Sequence, residues 1–477
     1  MTDHPSTLTI SDAAAALRSG ATTSVALTQA SIDAADRHDA DLGVYLARFD
    51  ELALAAAAKA DEELAAGVDR GPLHGIPLGV KDIIAAEGGP TTAQSLILDP
   101  AWGEGIGDAV VVARLRAAGA VITGKTTTSE FATGMPDPEK PFPIPRNPWN
   151  PAASPGGSSA GTGNGVAAGV ILGGLGTDTG GSVRLPAAWC GISGMKQTFG
   201  RVPKSGCVPL GYSYDHIGPM ARSAHDCALL LQVMAGFDPS DATSVDVPVP
   251  DYTAGLTGSL EGVRIGVDLL AGVAETDPAL PAAMAAALDE LAAAGATLVP
   301  VSLPLYQELT DATMIGLYGE ALAYHRGDLA GRWADYGAGA RRMLAVGTLV
   351  TGADFVTIQR VRRVGQRRMA ELFTDVDLVV TPSTAVAAPP IDLTETVLSI
   401  APIFTPIWNA TGHPALCVPA GFSATGLPLS MQIVGRPFDD AAVLATGFAY
   451  QQRTDWHLRV PPLVTRTPTA ASATSRG

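Results

Sequence analysis

The chain has 477 residues, of which 47% are hydrophobic, 5% aromatic and 16% charged, and its formal net charge is −16. That composition excludes a disordered or fibrous chain, and an acidic balance with no Lys/Arg run argues against nucleic acid and membrane surfaces as partners. The opening MTDHPSTLTISD lacks a basic region ahead of an apolar core, no apolar run reaches spanning length, and Cys190, Cys207, Cys227 and Cys417 show no C-x-x-C spacing, which together fit a cytoplasmic protein with core cysteines.

Residues 1–70 read as a helical layer, with Ser11 or Asp12 placed to cap the first helix and the alanine-rich run 52–66 stopped by Gly67. From Leu73 the texture changes: LHGIPLGVKDIIAAEG is a nearly continuous apolar strand with Lys81-Asp82 set inside it. Of six lysines, Lys81 alone is expected within a central strand, where burial favours its neutral amine and makes it a general base. The alternative is a Lys81–Asp82 ion pair at the strand end.

VVARLRAAGA predicts a helix and VITG a strand after it. Eight prolines between Pro136 and Pro155 then exclude helix and central strand, so this segment is an extended surface loop. Met135, Phe142, Ile144 and Trp149 on it form one wall of a substrate cleft in this reading.

The loop delivers the chain into SPGGSSAGTGNGVAAGVILGGLGTDTGGS, residues 154–182. Small residues over 160–170 predict a helix that starts at Ser158-Ser159 and packs closely on a sheet. Residues 171–175 read as a buried strand, and 176–181 as the loop that ends at Ser182. A strand that follows a helix returns antiparallel to it, so Ser158 and Ser182, 24 residues apart, meet at one edge of the sheet. Such a meeting is what nucleophilic catalysis needs.

Farther on, VRIGVD and ATLVPV flank a helix begun at Asp277-Pro278, a βαβ pattern. Residues 305–374 are predicted mostly helical and hold a large share of the aromatics, Tyr318 and Trp333 among them, as a cap over the cleft. DLVVTPS, PALCVPAGF and LSMQIVGRP are further strands, and the Ser/Thr/Ala-rich tail 465–477 is expected to be disordered.

Other motifs fit less well. Gly157-Ser158-Ser159-Ala160-Gly161 matches the G-x-S-x-G elbow, but a proline loop stands where a strand must precede it. Ser193-Gly194-Met195-Lys196 matches S-x-x-K without the S-D-N or K-T-G that should follow. The glycines of 174–180 lack the spacing of a phosphate loop. Eight histidines show no ligand spacing, so neither metal nor cofactor is expected. Spacing does leave a Ser-His-Asp arrangement open, with His216 beside Asp215 as its best candidate.

Lys81 in GVKD, Ser158 in PGGSSAG and Ser182 in GTDTGGSVRLPAAWCG resemble the amidase signature family. The likeness continues through KQTFGRVPKSGCVPL and YDHIGPMARS and returns at GHPALCVPAGF and GLPLSMQIVGRP. The resemblance implies Ser182 as nucleophile, Ser158 as a bridging serine on a cis peptide, and Lys81 as base. It implies the backbone amides of Thr179, Gly180 and Gly181 as an oxyanion hole, with Ser159, Asp178 and Arg184 in support.

The implied fold is one α/β domain over 1–477, a large mixed sheet covered by helices on both faces, with a helical layer at 1–70, a catalytic core at 71–225 and a helical cleft region at 305–374. The implied activity is hydrolysis of a small neutral amide, anilide or carbamate, of amidase, aryl acylamidase or urethanase type. The partner would be a small molecule alone, without nucleic acid or membrane, and the protein would be a monomer or homodimer. The alternative is the glutaminase subunit of a tRNA-dependent amidotransferase. That branch usually carries glutamine after the arginine matched by Arg184, where this chain has Leu185.

Overall fold

The computed structural model of the chain describes residues 7–392 and 403–465, so the expected disordered tail lies, from residue 466 on, outside the described residues. Among these residues the architecture is α/β: one mixed sheet of eleven strands with helices on both faces. Helices α1 (Ile10–Ser19), α2 (Ser24–Leu42) and α3 (Asp50–Ala65) form the amino-terminal layer. Thr9, not Ser11 or Asp12, caps α1: it sits in extended backbone and its hydroxyl accepts from the N–H of Asp12 at 3.0 Å.

β1 (Tyr45–Arg48), β2 (Pro77–Lys81) and β3 (Val121–Thr126) follow, with α4 (Ala101–Ile106) and α5 (Val110–Ala117) between the latter two strands. Then come α6 (Ala160–Ala167), β4 (Gly173–Asp178), α7 (Arg184–Cys190), β5 (Ser193–Lys196), β6 (His216–Ala221) and α8 (Ala224–Met234). β2 is parallel to both neighbours, β3 and β4, and is buried throughout. Burial on both faces is why its sequence reads as a continuous apolar run.

The strand expected at 171–175 is Gly173–Asp178, since its antiparallel ladder with β6 continues through Thr177 and Asp178. Three residues predicted as loop, Gly176, Thr177 and Asp178, are therefore held rigidly at a strand end. Lys81 also has company. Lys125 on β3 and Lys196 on β5 are just as buried, and the partner of Asp82 is Lys125 at 3.2 Å rather than Lys81.

α6 approaches the sheet as closely as its small residues predicted. A Cβ on Gly161 would collide with the Val44 carbonyl oxygen, and one on Gly174 would stand 2.5 Å from that of Gly79. A side chain at Gly161 would push α6 away from the segments beside it, and one at Gly174 would press β4 against both β2 and Thr162 of α6.

In the second half β7 (Arg264–Val267) and β8 (Thr297–Pro300) are parallel around α9 (Leu280–Ala293), as the βαβ pattern predicted. The helical region is α10 (Tyr306–Arg332), α11 (Ala338–Gly347) and α12 (Gly352–Asp375). β9 (Leu378–Pro382), α13 (Ile407–Thr411), β10 (Ala415–Phe422), β11 (Pro428–Gly435), α14 (Asp440–Gln451) and α15 (Pro462–Thr465) complete the order. Across the sheet the strands run β1-β3-β2-β4-β6-β5-β10-β11-β9-β7-β8. Among the described residues no helix is long and apolar enough to cross a membrane.

Candidate functional site

Three elements end at one edge of the sheet. β2 brings Lys81 there, β4 brings Thr177 and Asp178, and the turn before α6 brings Ser158 and Ser159. Lys81 Nζ lies 2.6 Å from Ser158 Oγ, 3.0 Å from Ser159 Oγ and 2.7 Å from Thr177 Oγ1, with the side chain wholly buried. Ser159 in turn directs its hydroxyl to the Thr177 carbonyl at 3.1 Å and accepts the Thr177 N–H at 3.0 Å. The Gly157–Ser158 peptide is cis. The N–H of Ser159 donates to the Ser182 carbonyl at 3.2 Å, which joins the two ends of the glycine/serine stretch.

Burial lowers the Lys81 amine to about 7, and the distant carboxylates of Asp178 and Asp215 only partly oppose it. Lys196 falls to about 7 for the same reason, helped by the Arg184 charge. Titration alone would not separate the two lysines; position does. Among the described residues, the Lys196 amine donates to the His413 carbonyl at 2.5 Å and lies 3.4 Å from His216 Nε2, with no serine hydroxyl among its partners.

His216 does not form a serine triad. Its Nδ1 lies 2.7 Å from the Tyr214 carbonyl oxygen, burial holds the ring neutral, and Asp215 is taken up by the Thr179 hydroxyl and the amides of Leu210 and Gly211.

Residues 179–183 are held from below. Asp178 and Arg184 form a fully buried pair through two parallel bonds of 2.9 Å, and Asp178 Oδ2 also accepts the Val183 N–H at 3.3 Å. Burial would raise the Asp178 carboxyl, but the Arg184 charge and its hydrogen bonds hold it well below the usual range. Arg184 has further N–H groups to satisfy, and distant residues accept them: the Thr405 carbonyl at 2.9 Å, Asn409 Oδ1 at 2.7 Å and Gln432 Oε1 at 3.1 Å. Asn409 also donates to Asp178 Oδ1 at 2.8 Å, and the Thr405 hydroxyl donates to the Gly180 carbonyl at 2.7 Å. Sequence reasoning missed all three. The available signal was chemical: a buried guanidinium needs more acceptors than one carboxylate supplies.

Gly181 has φ +136°, and a Cβ there would collide with Thr405 Oγ1, so both backbone conformation and space require glycine.

Ser158 and Ser182 open into a cavity of about 570 Å³. Met135 on the proline-loop side and Met314, Leu317, Tyr318, Arg342 and Met343 on α10 and α11 line it. Of the residues expected there, Met135 and Tyr318 are in the lining; Phe142, Ile144 and Trp333 are not. The loop contributes Pro136 and Pro145 instead, while the Ile144 backbone turns toward Gly43 and Trp333 is 42% exposed. Trp149 is likewise turned away, its indole N–H donating to the Cys190 carbonyl at 2.8 Å.

Known proteins share this sequence and architecture. The family model described as Amidase matches residues 26–444. The A subunit of glutamyl-tRNA(Gln) amidotransferase from Chloroflexus aggregans is 41% identical over 96% of this chain and 98% of its own. An amidase of Pseudomonas putida is 39% identical over 96% of this chain and 98% of its own. The solved peptide amidase of Stenotrophomonas maltophilia superposes with a TM-score of 0.81 at 32% identity, covering 95% and 98% of the two chains.

The first of these overturns the expected partners, a small molecule alone with nucleic acid excluded. So similar a protein is, by its name, part of an amidotransferase for glutamyl-tRNA(Gln). The physical reason is that net charge averages over faces. Arg360, Arg363 and Arg367 are exposed at helical spacing on α12, a local basic stripe that the chain-wide net charge does not reveal.

Proposed function

The chain belongs to the amidase family, which hydrolyses C–N bonds, and we propose that in it Ser182 attacks a carboxamide carbonyl, Ser158 relays its proton, and neutral Lys81 is the base. The observation that carries the reading is the set of partners around Lys81. A neutral amine has two N–H donors and one lone pair. Ser159 directs its own proton to the Thr177 carbonyl and so takes one N–H from Lys81; Thr177 Oγ1, at 2.7 Å, takes the other. The lone pair is left for the hydroxyl of Ser158 at 2.6 Å. An ammonium in the same place would offer only donors and hold Ser158 in the wrong sense for a relay.

As Ser182 forms its bond to the carbonyl carbon, its proton passes to Ser158 and that of Ser158 to Lys81. The amides of Thr179, Gly180 and Gly181 receive the charge on oxygen. The path then reverses: Ser158 protonates the departing nitrogen, the C–N bond breaks, and water releases the acyl group from Ser182 through the same relay.

Two readings of the substrate rest on different observations. A glutaminase role is supported by the relatives. An apolar amide, anilide or carbamate is supported by Met135, Met314, Leu317, Tyr318 and Met343, and by Leu185 beside Arg184. Labelling with a fluorophosphonate, read by intact mass and peptide mapping, tests the chemistry: an adduct on Ser182 is expected, and one that persists at another residue in Ser182→Ala overturns it. Ammonia release from glutamine, set against release of an aniline by the chain alone, decides between the substrates.

A further inference from the structure

The segment 129–135 joins the serine edge to the helical region. At its start the N–H of Ser129 donates to the Ser158 carbonyl at 3.1 Å. At its end Ala132, Thr133, Gly134 and Met135 line the cavity. Between them Phe131 and Ala132 have φ of +47° and +61°, a left-handed conformation that costs each side chain energy and persists only where surroundings impose it.

What surrounds Phe131 is the helical region. Its ring meets that of His325 edge-on at 4.3 Å and lies 6.3 Å from both Tyr324 and Tyr336. The Tyr336 hydroxyl and His325 Nδ1 are 3.0 Å apart, so the slot is itself braced. Glu130 adds a second tie, one oxygen accepting the Ser95 hydroxyl at 2.5 Å and the other the Gly337 N–H at 2.6 Å, just before α11. Gly134 and Gly339 pack backbone to backbone; a Cβ on Gly134 would stand 2.5 Å from the Gly339 carbonyl carbon. Everything α10 and α11 contribute to the cavity is thus registered against the wall that begins at Ser129.

We propose that Phe131 is a positioning and selectivity residue: seated in the His325–Tyr336 slot, it fixes the 132–135 wall against α10 and α11 and so sets which amides the cavity admits. Phe131 touches no reacting atom in this account. The proposal rests on the reading of Ser182 as nucleophile for its kinetic arm only.

The test uses Phe131→Leu, which stays apolar but fills the slot only in part, and Tyr336→Phe, which removes only the hydroxyl bond to His325. Fluorophosphonate labelling of Ser182 is expected to stay within about twofold of the parent, while kcat/KM falls about tenfold more for a bulky anilide than for a small acyl ester, mostly through KM. A general loss of structure would lower both substrates and the labelling together, which overturns the proposal, as would unchanged selectivity. Hydrogen exchange supplies the second arm: amides of 131–137 and 333–343 should exchange faster together in Phe131→Leu, with those of β4 unchanged. Faster exchange in only one segment also overturns it. If the parent takes no label while exchange behaves as expected, it is the nucleophile assignment that fails and not the coupling.

Discussion

The N–H of Ser159 and the carbonyl of Ser182 are hydrogen-bonded at 3.2 Å, so a backbone bond ties the start of α6 to the turn that carries Ser182. Removing the Ser182 hydroxyl therefore leaves this link in place. Ser182→Ala is expected to lose activity by about a thousandfold or more with little change in melting temperature. Calorimetry beside a hydrolysis assay checks this, and a melting temperature that drops with activity would mean that the hydroxyl is structural.

Lys81 gives a prediction in which stability and activity move in opposite directions. Its folded-state value of about 7 lies below the ordinary 10.5, so between these the unfolded chain binds a proton that the folded chain does not. Stability from this group rises with pH across that window. Lys81→Met removes the dependence: it should abolish activity yet stabilise the chain at pH 7, by on the order of 4 kcal/mol before the lost hydrogen bonds are counted, with the gap closing toward pH 10.5. In the parent, kcat should rise through pH 7 to a plateau. Urea melts of both chains at pH 7 and pH 10 measure the stability difference, and a constant gap would refute the buried neutral amine.

Arg184→Met leaves Asp178 buried without its counter-charge, and breaking such a pair costs about 3–5 kcal/mol. Arg184→Lys keeps the charge but cannot reach the carboxylate, Thr405, Asn409 and Gln432 in one plane, so it should recover only part of that stability. Chemical denaturation of the two variants gives the comparison. Full recovery by lysine would show that charge alone matters.

Gly181→Ala faces both a φ of +136° and a collision with Thr405 Oγ1. A large drop in acylation rate is expected because the shifted peptide carries a proposed oxyanion donor. Adding Thr405→Ala relieves the collision but not the backbone strain, so stability should return further than the rate does. Stopped-flow acylation and thermal melts on the single and double variants separate the two effects.

The glycine/serine stretch was legible because its chemistry is local: Ser158 and Ser182 flank a run of small residues that can only pack tightly against a sheet, and Lys81 interrupts an apolar strand. Lys125 and Lys196 close similar runs, VITGKT and SGMK, and went unrecognised because a lysine at a strand end looks solvated until the neighbouring strands are placed. Thr405, Asn409 and Gln432 were invisible for another reason. They lie 221 to 248 residues from Arg184 in sequence and carry no pattern of their own. In the proline loop, composition told that the chain is extended but not which way it faces, which is why Met135 lines the cavity while Phe142 and Ile144 do not.

The strand order has a consequence for synthesis. Among the described residues β10 and β11 are the last strands made, yet they fill the middle of the sheet, between β5 and β9. A nascent chain that has exposed Lys81, Ser158 and Ser182 still has an open edge at β5, lacks Gln432 for Arg184, and has nothing to join β9, β7 and β8 to the rest. The serines are translated early and braced late, so a chain still on the ribosome holds the residues of the site without the frame that would let them act.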